Sequence, residues 1–232
     1  MKGLKSIAIT LCAALVVSCG MSNTGKGALI GAGGGAGLGA IIGAIAGNTA
    51  IGAAIGGAVG AGAGAIIGKK MDKAKKEAEA VQNAQVEAVT DANGLEAVKV
   101  TFDSGILFAT GSSTLSSTAM TSLFQFANVL KNNADCDVAV QGYTDNAGWK
   151  NSTAAQSQQK NLELSQQRAQ SVTNYLLSQG VSPVQIRSTT GFGESNPVAD
   201  NSTAAGKAQN RRVEVYMYAS QKMIQEAQSQ AQ

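Results

Sequence analysis

Histidine is absent from this chain of 232 residues. Its absence removes the commonest general base and the commonest metal ligand of proteins. Cysteine is scarce too: Cys136 stands alone, far along the chain from Cys12 and Cys19. The sequence shows no pair of nucleophile and base and no metal-binding cluster. It therefore predicts no catalytic residue, no metal and no cofactor, although paired carboxylates leave a hydrolase open as an alternative.

Charged and aromatic residues are also few, at 14% and 4% of the chain. The net charge is +3, and it falls to +1 when Lys2 and Lys5, close to the N-terminus, are set aside. Nucleic-acid binding needs a clustered basic surface. The sequence therefore predicts no nucleic-acid partner.

The first twenty residues combine basic Lys2 and Lys5 with an apolar run over about residues 7–17. That run is too short to cross a bilayer and is typical of a signal peptide, here residues 1–18. The ending Val16-Val17-Ser18-Cys19 resembles a bacterial lipobox, which implies that Cys19 carries lipid chains such as palmitate and that residues 19–26 form a tether. Gly20 after the cysteine favours the outer membrane. The alternative is a plain signal peptide that is cut near Ser18.

Glycine recurs at every fourth position in two ladders between residues 27 and 68, with no charged residue between Lys26 and Lys69. Positions i and i+4 share one face of a helix, so each ladder would form a groove that another helix can approach closely. We expect residues 27–68 to form a glycine-zipper helical hairpin at a membrane, with self-association as a further expectation. A flexible Gly/Ala-rich spacer is the alternative.

From residue 69 onward the composition changes twice. Residues 69–92 are rich in Ala, Glu, Lys and Gln and favour a solvated helical spacer. Residues 93–220 carry the patterns of a globular α/β domain, and residues 221–232 are expected to be a polar tail. The predicted order β-α-β-α-β-β gives a two-layer sandwich with a mixed sheet and helices on one face.

Individual elements of that domain follow from periodicity. A helix is expected to begin at Ser116 or Ser117 and to bury a face that includes Met120, Leu123, Phe124, Ala127 and Leu130. A second helix is expected from about residue 163 to 179. Cys136 alternates with Val138 and Val140 in a strand, which predicts an inert, buried thiol.

Five motifs occur in order along the domain: TFDSGILF, GYTDNAG, NLELSQQRA, GFGESNP and AQNRRVEVY. Together they resemble the OmpA C-terminal-like family of peptidoglycan-binding domains. Two features depart from that family's pattern. Tyr143 stands where histidine is usual, and about eight additional residues follow Gly148, including Trp149, the only tryptophan. We expect this insertion to form a loop or a helical extension beside the binding pocket.

The resemblance implies a set of ligand-binding residues. Asp145 and Arg168 fall on the family positions that hold diaminopimelate of the stem peptide. A carboxylate can receive the ligand's ammonium group, and a guanidinium can receive its carboxylate through a bidentate fork. Asn161 and Arg212 match positions that shape the pocket, and Thr144 is expected to add polar contacts. Arg212 could instead hold the last strand through an ion pair.

These expectations combine into a function: a lipoprotein, anchored in the outer membrane through Cys19, whose periplasmic domain binds peptidoglycan without catalysis. The expected partners are peptidoglycan and outer-membrane lipids. The alternative is a wall-anchoring subunit of a larger envelope complex, such as a stator or a secretion machine.

Overall fold

A computed structural model describes residues 59–91 and 94–232 of the protein. The predictions for the signal peptide, for Cys19, for the tether and for the glycine ladder up to residue 58 lie outside the described residues. Within the described ranges, no helix combines the length and the apolar character that crossing a membrane requires.

One mixed sheet organises the described residues. Its strands are β1 (Ala84–Thr90), β2 (Glu96–Asp103), β3 (Cys136–Gly142), β4 (Ile186–Gly191) and β5 (Arg212–Ala219). They lie in the order β1-β2-β5-β3-β4, with β3 and β4 parallel and the other neighbours antiparallel. The last strand thus occupies the centre of the sheet, and all eight of its residues are buried.

Helices cover one face of this sheet, so the predicted two-layer α/β architecture is confirmed. The described helices are α1 (Ala61–Ala78), α2 (Ser104–Leu107), α3 (Ser117–Asn132), α4 (Ala154–Ser178), α5 (Ala204–Asn210) and α6 (Gln221–Gln230). The main core lies between the layers and joins alternate residues of β5, from Val213 to Ala219, to the buried faces of α1, α3, α4 and α6. The short helices α2 and α5 were not predicted.

The helical spacer predicted over residues 69–92 is wrong in two respects. Residues 84–90 form the edge strand β1, which pairs along its whole length with β2. The turn between them is closed by Asp91, whose Oδ1 accepts the Leu95 amide hydrogen at 2.9 Å. Ladder pairing across this short turn overrides the helix propensity of the Ala, Glu and Gln residues.

The spacer prediction is also wrong about burial, because α1 is not exposed to solvent on all sides. Met71, Ala74 and Ala78 are almost fully buried and continue the stripe begun by Ala63 and Ile67. This spacing places all five residues on one face of the helix, against the core. The domain therefore begins well before residue 93, the boundary predicted from composition.

The C-terminal residues 221–232 are also not a polar tail. They form α6, which starts at an N-cap Ser220 that accepts the Met223 amide hydrogen. Met223, Ile224 and Ala227 are buried on its inner face. A Cβ atom placed on Gly62 of α1 would lie 3.0 Å from the Cβ of Ala231, so the two terminal helices are in close contact.

Helix α3 begins where predicted, since Ser116 Oγ accepts the Ala119 amide hydrogen at 3.0 Å. Its buried face was only partly predicted. Leu123, Ala127 and Leu130 are buried, but Met120 and Phe124 are 40% and 48% exposed. The face is rotated toward Phe126, whose ring packs edge-on against Phe102 of β2.

Cys136 lies at the start of β3 and is 2% exposed. Burial, reinforced by the negative charge of Asp135, raises the pKa of its thiol to about 12. We expect no reaction of native Cys136 with a thiol reagent at pH 8, because almost no thiolate is present and the side chain is buried. Peptide mapping by mass spectrometry, which separates Cys136 from the other cysteines, should detect labelling only after denaturation. Labelling of the folded protein within minutes would contradict this prediction.

Candidate functional site

A cavity of about 690 Å³ opens beside the ends of β2 and β3. Four segments form it: the start of α2 and the loop after it, the loop after β3, residues 161–168 in the middle of α4, and residues at α5 and just before β5. The side chains that could bind a ligand are Ser104, Thr144, Asp145, Trp149, Lys150, Asn161, Arg168, Lys207 and Arg211. Phe108 and Leu164 supply much of the apolar lining.

Close packing of α4 against the sheet places the helix at this cavity. A Cβ atom on Gly142 would lie 2.2 Å from the carbonyl oxygen of Ser165, and one on Gly191 would lie 2.2 Å from the Gln166 nitrogen. Any side chain at either glycine would push α4 away from the strand ends. The glycines therefore set the approach that turns Asn161 and Arg168 toward the cavity.

Asp145 follows β3 and is 7% exposed. Its Oδ1 accepts the amide hydrogen of Ala147 at 3.0 Å, as in an Asx turn. Its Oδ2 accepts a hydrogen bond from Arg211 Nη1 at 2.5 Å. A carboxylate has about four acceptor positions, so Asp145 keeps room for further donors from the cavity.

Arg168 reaches the cavity from α4 and is 4% exposed. Its Nε donates to the carbonyl of Ser112 at 3.0 Å, and its guanidinium lies 5.2 Å from the centre of the Phe108 ring. A weaker contact of 3.5 Å joins Nη2 to the carbonyl of Ala109. Three of the five guanidinium hydrogens remain for a ligand. Arg168 thus positions the 109–112 loop as well as facing the cavity.

Asn161, in the third turn of α4, fixes the loop after β3 to this helix. Its Nδ2 donates to the carbonyl of Ala147 at 3.2 Å, with longer contacts of 3.4 Å to the Asp145 carbonyl and to Glu194. Its Oδ1 accepts the indole hydrogen of Trp149 at 2.8 Å. All the polar atoms of this amide are therefore engaged by the protein, which favours a role in shaping the cavity.

Two hydroxyl groups at the cavity have no protein partner. Among the described residues, Thr144 Oγ1 and Ser104 Oγ are buried side-chain atoms without a hydrogen bond. Buried polar groups without a partner are costly, and they are common where a ligand or water completes them. Thr144 therefore lies where its predicted polar contact requires, and Ser104 joins it as a donor or acceptor that the sequence did not indicate.

The structure does not bring Arg212 to this cavity. Its guanidinium lies on the other side of β5, where Nε donates to Glu214 Oε1 at 2.7 Å. The group also lies 3.8 Å from the centre of the Tyr143 ring, and the side chains of Arg212 and Glu214 are each 5% exposed. The ion pair that the sequence left open is the observed role. Tyr143, which stands where histidine was expected, is buried in the same network.

Arg211 lies at the cavity instead, and the sequence alone did not indicate it. Its side chain is 39% exposed and reaches Asp145. The two arginines are adjacent, so only the start of β5 at Arg212 decides which of them leaves the sheet. Because Arg211 and Arg212 are identical residues, the sequence does not show at which of them the strand begins.

The cavity is rich in positive charge. Lys150, Arg168, Lys207 and Arg211 line it, and Asp145 is the one carboxylate among the described residues of its lining. Burial and the neighbouring Arg211 lower the pKa of Arg168, while Asp145 opposes that shift. The arrangement suits a ligand that carries carboxylates and one ammonium group. In the described part of the chain, no three His, Cys, Asp or Glu side chains are grouped to hold a metal ion.

Two family models match the chain. Residues 107–211 match the OmpA family, and residues 1–72 match the YMGG-like Gly-zipper. The first match includes every cavity residue from Phe108 to Arg211, and the second includes the glycine ladders.

Three individual proteins illustrate the likeness. The probable lipoprotein YiaD of Escherichia coli is 47% identical over 50% of this chain and 46% of its own length. The peptidoglycan-binding protein ArfA of Mycobacterium tuberculosis is 43% identical over 40% of this chain and 26% of its own length. A solved cell wall anchor of the type VI secretion system of Pseudomonas aeruginosa has 27% identity and a TM-score of 0.51, over 65% of this chain and 97% of the solved one. This chain thus spans less than half of either curated relative.

Proposed function

We propose that this domain binds peptidoglycan non-covalently through the diaminopimelate residue of the stem peptide, since residues 107–211 match the OmpA family model. One observation carries the proposal: Asp145 and Arg168 line the same cavity with opposite charges. The far end of diaminopimelate bears an ammonium group beside a carboxylate. A buried carboxylate and a buried guanidinium are complementary to that pair.

Each group has the capacity for this contact. Arg168 has free hydrogens on both Nη atoms, which suit a carboxylate fork. Asp145 accepts from Arg211 and from a backbone amide, and its remaining lone pairs can take the ligand ammonium. Thr144 and Ser104 can complete the ligand's hydrogen bonds. These contacts need no proton transfer and no nucleophile, so we propose binding without catalysis.

The test is retention of the purified full-length protein on peptidoglycan that contains diaminopimelate. We expect Asp145→Asn to weaken binding about 10-fold, because charge-assisted hydrogen bonds contribute about 1.5–3 kcal/mol each. The asparagine keeps the acceptor for the Ala147 amide, so the loop should stay in place. Asp200→Asn, at an exposed aspartate outside the cavity, is the matched control.

Two results would contradict the proposal. One is wild-type protein that does not co-sediment with the wall. The other is equal retention of Asp145→Asn and the control, with circular dichroism showing both variants folded.

We further propose that acylated Cys19 anchors the protein in the outer membrane, with the domain in the periplasm and the glycine ladder available for self-association. Support comes from the lipobox-like sequence, the Gly-zipper match and the likeness to a probable lipoprotein. Two acyl chains are needed because a single chain anchors a protein only marginally. The protein would then connect the membrane with the wall.

This anchoring predicts the chemistry of the mature N-terminus. We expect mass spectrometry of membrane-extracted protein to find Cys19 as the first residue, with a diacylglyceryl group on its sulfur. Cys19→Ser should release the protein from the membrane fraction. A mature chain that begins at another residue, without lipid, would contradict the prediction.

A second candidate is a wall-anchoring subunit of a larger envelope complex. The likeness to a secretion-system wall anchor supports it at the level of the domain. Crosslinking in intact cells separates the two candidates. A stable set of protein partners would favour the complex, whereas recovery with wall fragments alone would favour the simple tether.

A further inference from the structure

The additional residues that follow Gly148 build one wall of the cavity. Residues 149–153 form a loop, and α4 begins at Ala154, nine residues earlier than predicted. A capping box fixes this start, with Thr153 Oγ1 accepting from the Gln156 amide and Gln156 Oε1 accepting from the Thr153 amide. Lys160 also donates to Ser152 Oγ at 2.9 Å. The insertion is therefore held in one conformation beside the cavity.

Trp149 is the residue that this loop presents. Its backbone amide donates to Ser157 Oγ at 3.0 Å, and its indole hydrogen is held by Asn161. The far edge of the ring reaches Gly111, where a Cβ atom would lie 3.9 Å from Cη2. The indole thus bridges α4 and the loop after α2. It remains part-exposed while lining the cavity.

The surroundings of the ring are polar on several sides. Lys160 Nζ lies 5.8 Å from the ring centre, and Lys150 also lines the cavity. An oriented aromatic surface among hydrogen-bond donors suits a ligand with an apolar face and a polar rim. A pyranose ring has this character, because its axial C–H groups form one face and its hydroxyl and acetamido groups form the rim.

The size of the cavity leaves room for more than diaminopimelate. A volume of about 690 Å³ lies in the range of sites for drug-sized ligands. A sphere of that volume is about 11 Å across. The stem tripeptide L-Ala-γ-D-Glu-diaminopimelate, which starts at the glycan, extends over about 10 Å. A ligand anchored at Asp145 and Arg168 can therefore bring its sugar end to the rim.

We infer that Trp149 forms a second subsite, which stacks a pyranose ring of the glycan strand beside the stem-peptide site. The inference rests on the proposed function and extends it, because the protein would then recognise the sugar and the peptide of one wall fragment together. The insertion would therefore increase the affinity for a stem peptide that still carries its sugar, compared with the stem peptide alone.

The test compares two ligands of defined structure by calorimetry with the full-length protein in detergent. One is the tripeptide L-Ala-γ-D-Glu-diaminopimelate, and the other is the same tripeptide on its N-acetylglucosamine–N-acetylmuramic acid disaccharide. We expect wild-type protein to prefer the second ligand about 10-fold, which corresponds to about 1.4 kcal/mol. Trp149→Ala should reduce this preference to about 1, whatever loss the two ligands share. Trp149→Phe keeps an aromatic face and should keep most of the preference.

Phe124→Ala removes an exposed aromatic ring outside the cavity and is the matched control, with an unchanged preference. A wild-type preference near 1 would overturn the inference. An equal loss of affinity for both ligands in Trp149→Ala would also overturn it, and so would the same preference in Trp149→Phe as in Trp149→Ala. Either result would indicate that Trp149 acts only by holding Asn161 in place. In these cases the stem-peptide proposal stands. Failure of wild-type protein to bind either ligand would instead overturn the proposed function and the inference with it.

Discussion

Arg168→Ala is expected to weaken binding of the stem peptide about 10- to 100-fold. The guanidinium would lose a charge-assisted contact with the ligand carboxylate, worth about 1.5–3 kcal/mol. The side chain also holds the carbonyls of Ser112 and Ala109, so its removal loosens one wall of the cavity. The affinity of the variant alone would therefore combine two effects.

A double comparison separates them. Amidation of the diaminopimelate carboxylate removes the same contact from the ligand's side and leaves the loop intact. If Arg168 faces that carboxylate, amidation should cost the wild type about 10-fold and cost Arg168→Ala almost nothing. Loosening of the loop is present with either ligand and cancels in the cycle.

Arg187→Ala is the control for this cycle, since Arg187 pairs with Asp137 at the outer edge of the sheet. It should show the full effect of amidation. Independent losses from Arg168→Ala and from amidation would mean that Arg168 binds some other part of the ligand.

Arg212→Ala is expected to have the largest effect on stability, a loss of about 3–5 kcal/mol in the free energy of unfolding. Breaking a buried ion pair leaves a charge without its partner. Here the group that would lose its partner is the Glu214 carboxylate, which also accepts the hydroxyl hydrogen of Tyr216 at 2.7 Å. Arg212 in addition donates to the carbonyls of Asn196 and Asn210, both at 3.2 Å.

Urea unfolding followed by circular dichroism measures this loss. The double variant Arg212→Ala with Glu214→Ala should lose clearly less than the two single variants added together, because neither charge is then stranded. Wild-type stability in Arg212→Ala, combined with loss of wall binding, would return Arg212 to the ligand site predicted from the sequence.

Sequence patterns predicted the fold best where buried residues repeat with the period of a strand or of a helix. The predicted β-α-β-α-β-β order is present, and strand β3 and helix α3 lie where alternation and helical spacing placed them. Helix α4 ends close to the predicted residue 179 but begins nine residues early, at Ala154. Composition misled at both ends of the domain. From residue 69 onward, the buried positions of α1 carry only Met71, Ala74 and Ala78, so this part of the helix resembles a solvated helix until a partner surface is known.

For the site, the motifs predicted Asp145, Asn161, Arg168 and Thr144, and the structure brings these four to one cavity. Their ligand contacts stay a prediction. Arg211, Lys207 and Ser104 could not be predicted, because each depends on where a loop meets a strand or a short helix. The insertion was visible in the sequence, but the direction of the Trp149 ring depends on its hydrogen bond to Asn161.

The burial of α1 in the core determines how the domain would carry tension. A pull on the chain that precedes Ala61 acts on the end of α1 that packs beside α6, where Gly62 approaches Ala231. Force therefore loads the contacts of Ala63 and Ile67 before it reaches any strand of the sheet. The cavity lies on other elements, so α1 can be strained from its first turn while the ligand site keeps its shape. We expect α1 and α6 to separate under such a force before the sheet is disrupted.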